Sequence, residues 1–415
     1  MARYITHLES ALDGTQFSAD QVQTMHENRP LWVRYDLQAI AAKLTKQELA
    51  TRPREMWRYR EMLPIGDDIQ PVTMVEPMSP IIDCPRFAAS VGLKHVGIKD
   101  ESRAPTNSFK CRGLSMACTF AKHFGFNTVA MASNGNAGGA LGLYAARAGM
   151  KSVVFMPEDS MVTNLVECSI SGSQIFKANG MIDKCGGAIR HGHDNGYWFD
   201  ISTMKEPYRL EGKKTMGLEL AEQFDWELPD VILYPTGGGT ALIAMWKAFD
   251  ELAEMGWLKS DKRPRMISVQ SDGCQPIVDA FNAGEKFSQR DDDAFTWASG
   301  LRVPLSIGDF MVLDAVRASG GKCVSASEKR IEEWQRLVTT SDGVFICPET
   351  AVCIGALEEM CANNEIDADE KVVVFNTAAG QKYVERNILE VPTIDLNSID
   401  WNQFEKMERP QECSR

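Results

Sequence analysis

Several things are scarce or missing in this chain, and each absence removes a class of function. No run approaches the ~20 apolar residues that a membrane-spanning helix needs. The amino terminus, Met1-Ala2-Arg3-Tyr4-Ile5-Thr6-His7-Leu8-Glu9, lacks a signal-type apolar core. There is no basic stripe, and the net charge is −13, so neither nucleic acid nor an anionic membrane is an expected partner. The eleven cysteines are scattered, with no Cys-x-x-Cys pair. Reduced, mostly buried thiols in a cytoplasmic protein are therefore expected rather than a disulfide framework. The six histidines supply one close pair, His191-Gly192-His193, with no third ligand nearby, and we expect no metal there. Neither a Gly-x-Gly-x-x-Gly fingerprint nor a Walker loop is present.

What is present suits two domains of ordinary size, with 415 residues and 44% apolar content. From about residue 94 short β-branched runs alternate with periodic helical stretches. The strands expected are Lys94–Lys99, Thr128–Ala132, Ser152–Met156, Gln174–Lys177, Tyr197–Ile201, Asp230–Tyr234, Met266–Gln270 and Lys371–Asn376. The helices expected between them include Gly138–Ala148, Met161–Ser171, Lys213–Phe224, Ala241–Met255 and Thr350–Cys361. That alternation predicts an α/β fold with parallel sheets, two of them rather than one. Residues 1 to about 76 read as mixed and partly helical. Pro30-Leu31-Trp32-Val33 and Met56-Trp57-Arg58-Tyr59 would anchor this arm to the body. The polar tail after Pro392 would wrap the surface or remain partly disordered.

Four stretches carry chemistry. Asn107-Ser108-Phe109-Lys110-Cys111-Arg112-Gly113 puts Lys110 at a strand–turn–helix junction, where a lysine is partly buried and can act as a nucleophile. Ser133-Asn134-Gly135-Asn136 follows a strand and opens a helix, so its backbone N–H groups can receive an anion. Pro235-Thr236-Gly237-Gly238-Gly239-Thr240 also joins a strand to a helix. Three glycines ahead of a helix cost backbone entropy that an ordinary turn would not need, and a phosphate cradle explains them. Thr377 follows the strand Lys371–Asn376 and would place a neutral hydroxyl at a strand's carboxyl end. Together these parts suit pyridoxal 5′-phosphate. Lys110 would form the imine, Gly237 to Thr240 would hold the phosphate, Asn136 would face the ring hydroxyl, and Thr377 would face the ring nitrogen.

On these stretches, and on Pro30-Leu31-Trp32-Val33-Arg34-Tyr35-Asp36-Leu37, Lys99-Asp100-Glu101-Ser102, Pro207-Tyr208-Arg209-Leu210-Glu211-Gly212-Lys213-Lys214-Thr215 and Pro348-Glu349-Thr350-Ala351, the chain resembles the fold-type II pyridoxal-phosphate enzymes. Within them it is most similar to the threonine synthases. The resemblance implies the tryptophan synthase β-like architecture of two parallel-sheet domains. Its parts would be an arm and first part of the large domain (1–115), a small inserted domain (116–208), and the rest of the large domain with its tail (209–415). It implies Lys110 as the Schiff-base lysine and catalytic base, Asn136 at the ring oxygen, and Thr377 at the pyridine nitrogen. Ser133, Asn134 and Gly135 would receive the substrate carboxylate, while Arg112, Arg209 and Lys213 are candidates for its phosphate or, equally, for structural ion pairs. The implied reaction is a lyase step on a small amino acid, O-phosphohomoserine to threonine and phosphate. Alternatives are β-elimination or β-replacement, as in an ammonia-lyase or a cysteate synthase-like enzyme, and more distantly a non-catalytic amino-acid-binding protein. Dimers are common in that family, so a homodimer is an implied assembly. Three departures stand near the site. Asn107 replaces a frequent Gly, Cys111 replaces Asp, and Ala378 to Tyr383 replaces Gly-His-Gly-x-Lys-Asp.

Overall fold

A computed structural model describes residues 3–386, 393–394, 396–399 and 401. The tail expected to wrap the surface lies largely outside the described residues. Strands β1 (Ile5–Ser10), β2 (Gln16–Phe17) and β3 (Leu31–Tyr35) form an antiparallel sheet in the order β2-β1-β3. The helices Leu37–Lys43 and Lys46–Ala50 follow, so the first 76 residues are mixed and partly helical as expected, with a three-stranded sheet that no apolar run announced. Leu31, Val33 and Trp57 pack there against Met116, Phe120 and Tyr208 of the body, so the apolar patches anchor the arm.

The central sheet contains β4 (Ile81–Asp83), β5 (His95–Asp100), β10 (Val231–Pro235), β11 (Arg265–Ser271), β12 (Lys322–Ala326) and β13 (Lys371–Asn376), in the order β12-β11-β10-β13-β5-β4. Five strands are parallel and β4 pairs antiparallel to β5 at one edge, so the sheet is mixed rather than wholly parallel. Alternating side chains supply two cores, as a pleated strand buried on both faces requires. Val231, Leu233, Val372 and Val374 face the helices Ile331–Asp342 and Pro348–Ala362. Ile232, Tyr234, Val373 and Phe375 face Tyr208–Gln223, Thr240–Glu254 and Asp309–Ala318.

A second, wholly parallel sheet has β6 (Thr128–Ala132), β7 (Lys151–Pro157), β8 (Gln174–Ala178) and β9 (Phe199–Asp200), in the order β8-β7-β6-β9. Val129, Met131, Val154 and Met156 pack on the helices Lys110–His123 and Asn136–Ala148. Ala130 and Val153 pack on Ile189 of Ile182–Asp194. Lys110–His123 is one continuous helix and bridges the two sheets.

Candidate active site

The loops that carry the chemical stretches leave the carboxyl ends of β5, β6, β10 and β13, where ligand crevices form in parallel sheets. The lysine stretch is held there by backbone. Phe109 N donates to Thr377 O at 3.0 Å, Ala379 N donates to Asn107 O at 2.9 Å, and Ser108 pairs with Ala378. Thr377 and Lys110 are thus placed on neighbouring segments.

Asn107 has φ +50°. That left-handed conformation suits Gly and, among larger residues, Asn. The departure from Gly is therefore a backbone matter. Cys111 is fully buried among Leu114, Ala117 and Tyr144, so that departure belongs to packing. The third departure does reach the site. Tyr383 OH accepts from Asn136 Nδ2 at 2.8 Å and donates to Glu349 Oε1 at 2.9 Å. Gly300 N also donates to Glu349 Oε1, at 2.8 Å. Asn136 Oδ1 and Glu349 Oε2 are buried with no hydrogen-bond partner among the described residues. Neither Glu349 nor Tyr383 was marked as a site residue from sequence, although both lie in stretches singled out there.

Lys110 itself is half-buried and makes no hydrogen bond or salt bridge among the described residues. Its Nζ lies 3.9 Å from the centre of the Phe109 ring. Burial lowers its pKa to about 8, against an upward pull from Glu349, with Arg209 and Lys382 adding to the depression. An amine in that range is a competent base and nucleophile near neutral pH.

The glycine turn is tightly enclosed. Gly239 has φ +70°, and a Cβ there would lie 2.1 Å from Val312 Cγ2. A Cβ on Gly237 would lie 2.3 Å from Gly300 O. Only glycine fits both positions, and the bare backbone of Gly237 to Gly239 opens the 15-residue helix Thr240–Glu254, the arrangement that receives a phosphate. Gly238 O accepts from Ser306 Oγ at 3.3 Å. Gly300 thus touches both the cradle and Glu349, while its neighbour Ser299 approaches Gly135. Ser133 Oγ stabilises its own loop, accepting from Gly135 N at 3.2 Å and Gly138 N at 2.8 Å. Asn134 is partly buried, its Oδ1 accepting from Ser160 Oγ at 3.4 Å.

The three cations fare differently. Arg112 is fully buried and committed. It donates to Glu101 at 2.7 and 3.0 Å, to Glu219 at 2.5 and 3.0 Å, and to Thr215 and Pro77 O. Its expected alternative role at a substrate phosphate is corrected accordingly. Every guanidinium nitrogen is already engaged. Arg209 is also buried, but only its Nη1 is engaged, with Ile201 O at 2.7 Å. Nε and Nη2 have no partner among the described residues. Lys213 bonds Thr240 Oγ1, which carries it to the glycine cradle rather than to the Ser133–Gly135 loop. The helices carrying Lys110 and these two residues nearly touch. A Cβ on Gly212 would lie 2.1 Å from Arg112 O, and one on Gly113 would lie 3.1 Å from Arg209 O.

A half-buried amine of lowered pKa, a Cβ-free phosphate cradle, an orphaned Asn136 oxygen and an underused guanidinium fit a phosphorylated aldehyde cofactor. The family model described as pyridoxal-phosphate dependent enzyme matches residues 72–378. A threonine synthase of Methanocaldococcus jannaschii is 31% identical over 84% of this chain and 85% of its own length. One of Methanosarcina acetivorans is 31% identical over 95% and 97%. In three dimensions the chain is similar to a processed threonine deaminase isoform of Solanum lycopersicum, with TM-score 0.63, 18% identity and coverage of 81% and 96%.

Proposed function

The chain belongs to the family of pyridoxal-phosphate-dependent enzymes, and from that premise we propose that it is a threonine synthase-like lyase, converting O-phosphohomoserine to threonine and inorganic phosphate. The observation that carries this reading is Arg209, whose guanidinium stays charged while two of its nitrogens have no hydrogen-bond partner among the described residues. A substrate with a phosphate leaving group brings the anion this position is short of. Relatives of 31% identity over most of the chain that bear the name threonine synthase support the same choice.

Pyridoxal 5′-phosphate, when bound, supplies an electron sink that acidifies the substrate's Cα–H. Lys110 would hold the cofactor covalently, Gly237, Gly238, Gly239 and Thr240 its phosphate, and Asn136 its ring oxygen. Thr377, a neutral hydroxyl, would face the ring nitrogen and leave it largely unprotonated, which suits elimination and replacement more than transamination. Ser133, Asn134 and Gly135 would orient the substrate carboxylate. Lys110 Nζ, displaced by the substrate amine, would take the Cα proton and then move the Cβ proton, its lowered pKa matching both tasks. Arg209 would draw the phosphate away from Cγ, and water would add at Cβ. We place the moving unit at about residues 116–208, closing to exclude water. Contacts that would hold it shut are Arg302–Asp159 at 2.5 Å, Arg290–Asp183 at 3.1 Å and Lys382–Glu167 at 2.5 Å.

The deciding experiment measures inorganic phosphate from O-phosphohomoserine alongside keto-acid formation from small amino acids. Phosphate and threonine in equal amounts are expected. Keto acid without phosphate would replace this reading with an amino-acid ammonia-lyase.

A further inference from the structure

Lys213 and Lys214 are adjacent and both buried, yet only one has been given anions. Lys214 Nζ lies 2.7 Å from Glu211 and 2.9 Å from Glu251. Lys213 Nζ has one hydrogen-bond partner, the Thr240 hydroxyl, and no salt bridge among the described residues. A buried ammonium without a counter-charge is costly. The groups facing it deepen the deficit. Arg209 lies one turn earlier on its own helix, and Lys110 approaches from Lys110–His123. Both ammonium groups flank the Phe109 ring, at 5.0 and 3.9 Å from its centre. The acid facing Lys213, Glu206, spends its carboxylate on the backbone N–H groups of Tyr208 and Arg209. Burial, Arg209 and Lys110 together push the Lys213 pKa well down. The stem is pinned in place, since a Cβ on Gly113 would lie 3.1 Å from its Cε. The partner it does have, Thr240, is the first residue after the glycine turn.

We propose that Lys213 is the counter-cation of the cofactor's phosphate, holding that dianion together with Thr240 and taking up a proton from solvent as the phosphate binds. This rests on the assignment of the glycine turn as the phosphate cradle. Burial and the neighbouring cations disfavour the charged form of Lys213 in the cofactor-free protein, and an arriving phosphate dianion would favour it. The cofactor's phosphate, rather than the substrate's, is indicated because Thr240 connects Lys213 directly to the turn.

The test uses the full-length protein, stripped of cofactor by dialysis and reloaded, as wild type, Lys213→Met and Lys213→Gln. Pyridoxal 5′-phosphate and pyridoxal, which lacks the phosphate, are titrated calorimetrically in buffers of different ionisation enthalpy. Both variants should bind pyridoxal 5′-phosphate about 10- to 100-fold more weakly, the loss of one charge-assisted contact, and take up about one proton fewer. Their pyridoxal affinity should stay within about twofold of wild type, since that ligand never meets the contact. The cofactor-free Lys213→Met protein should melt no lower than wild type, because an unpaired buried amine has been removed. Unchanged phosphate-form affinity and proton uptake would overturn the proposal, as would a rise confined to the KM of a phosphorylated substrate. A cofactor-free melting temperature well below wild type would overturn it too, by making Lys213 a structural residue. If wild type shows no preference for pyridoxal 5′-phosphate over pyridoxal, the cradle assignment falls first and the proposal with it.

Discussion

Lys110 and Arg112 are two residues apart on one helix, yet Arg112 is surrounded by acceptors while Lys110 makes no hydrogen bond or salt bridge among the described residues. Beneath the site Arg112 and Lys99 meet Glu101 and Glu219 in a network with two charges of each sign, at distances of 2.5 to 2.8 Å. Ser79 and Gln223 complete its hydrogen bonds. Across the same helix pair Lys110, Arg209 and Lys213 share no salt bridge among the described residues. A cluster that only held the fold together would not leave buried donors unmet. The balanced network fixes the helices. The unbalanced one is left for anions that arrive with ligands.

The largest difference should come from substitutions that strike one cluster and spare the other. Lys110→Ala should lower turnover on the order of 10^3-fold or more and remove the visible absorbance of the lysine-bound cofactor, with little change in the denaturation midpoint of the cofactor-free protein. Assay, spectrum and chemical denaturation check it. Glu219→Gln should do the reverse in kind, leaving Lys99 and Arg112 short of an anion and costing about 3–5 kcal/mol of stability, read from urea unfolding. A stable Glu219→Gln protein would erase the distinction between the two clusters. Arg209→Met should leave stability equal or higher while kcat/KM for a phosphorylated substrate falls about 10²-fold, the worth of a lost contact to a buried charge. Smaller again is Tyr383→Phe, which removes one hydrogen bond each from Asn136 and Glu349 and should cost about 1 kcal/mol in cofactor affinity. The pH dependence sharpens the contrast further. The lowered pKa of Lys110 means its neutral form grows as pH rises through about 8. Acylation of the cofactor-free protein at this lysine should therefore accelerate through that range, whereas the ion-paired Lys214, raised by Glu211 and Glu251 after its burial is offset, should stay unreactive there.

Much of the central architecture was legible because its strands are short apolar runs flanked by helices. Thr128–Ala132 and Lys371–Asn376 have the same bounds in sequence and structure. Edges were less visible. Lys322–Ala326 pairs on one side only and carries Lys322, Ser325 and a partly exposed Val324, so its apolar signal is weak. The arm's sheet was missed because His7, Glu9 and Arg34 interrupt its strands while ion-pairing to one another, as in Arg34–Glu9 at 2.6 Å. The stretches at strand ends could be found because small residues, a lysine and a hydroxyl are unusual where a helix starts. What the sequence could not disclose was which cations already had partners. Arg112, Arg209 and Lys213 are all plain cations in the sequence, and only folding brings Glu101 and Glu219 to the first, the Ile201 carbonyl but no ion pair among the described residues to the second, and Thr240 to the third. Tyr383 and Glu349 were hidden for the same reason, since their bond exists only after segments 34 residues apart meet.

The central claim is that one lysine among the clustered amines at the cleft carries the cofactor. Borohydride reduction of the loaded protein, followed by proteolysis and mass spectrometry, locates the pyridoxyl group directly. The label is predicted on Lys110 within the segment around Asn107 to Gly113. A label on Lys213 or Lys382, or none on Lys110, would contradict the account.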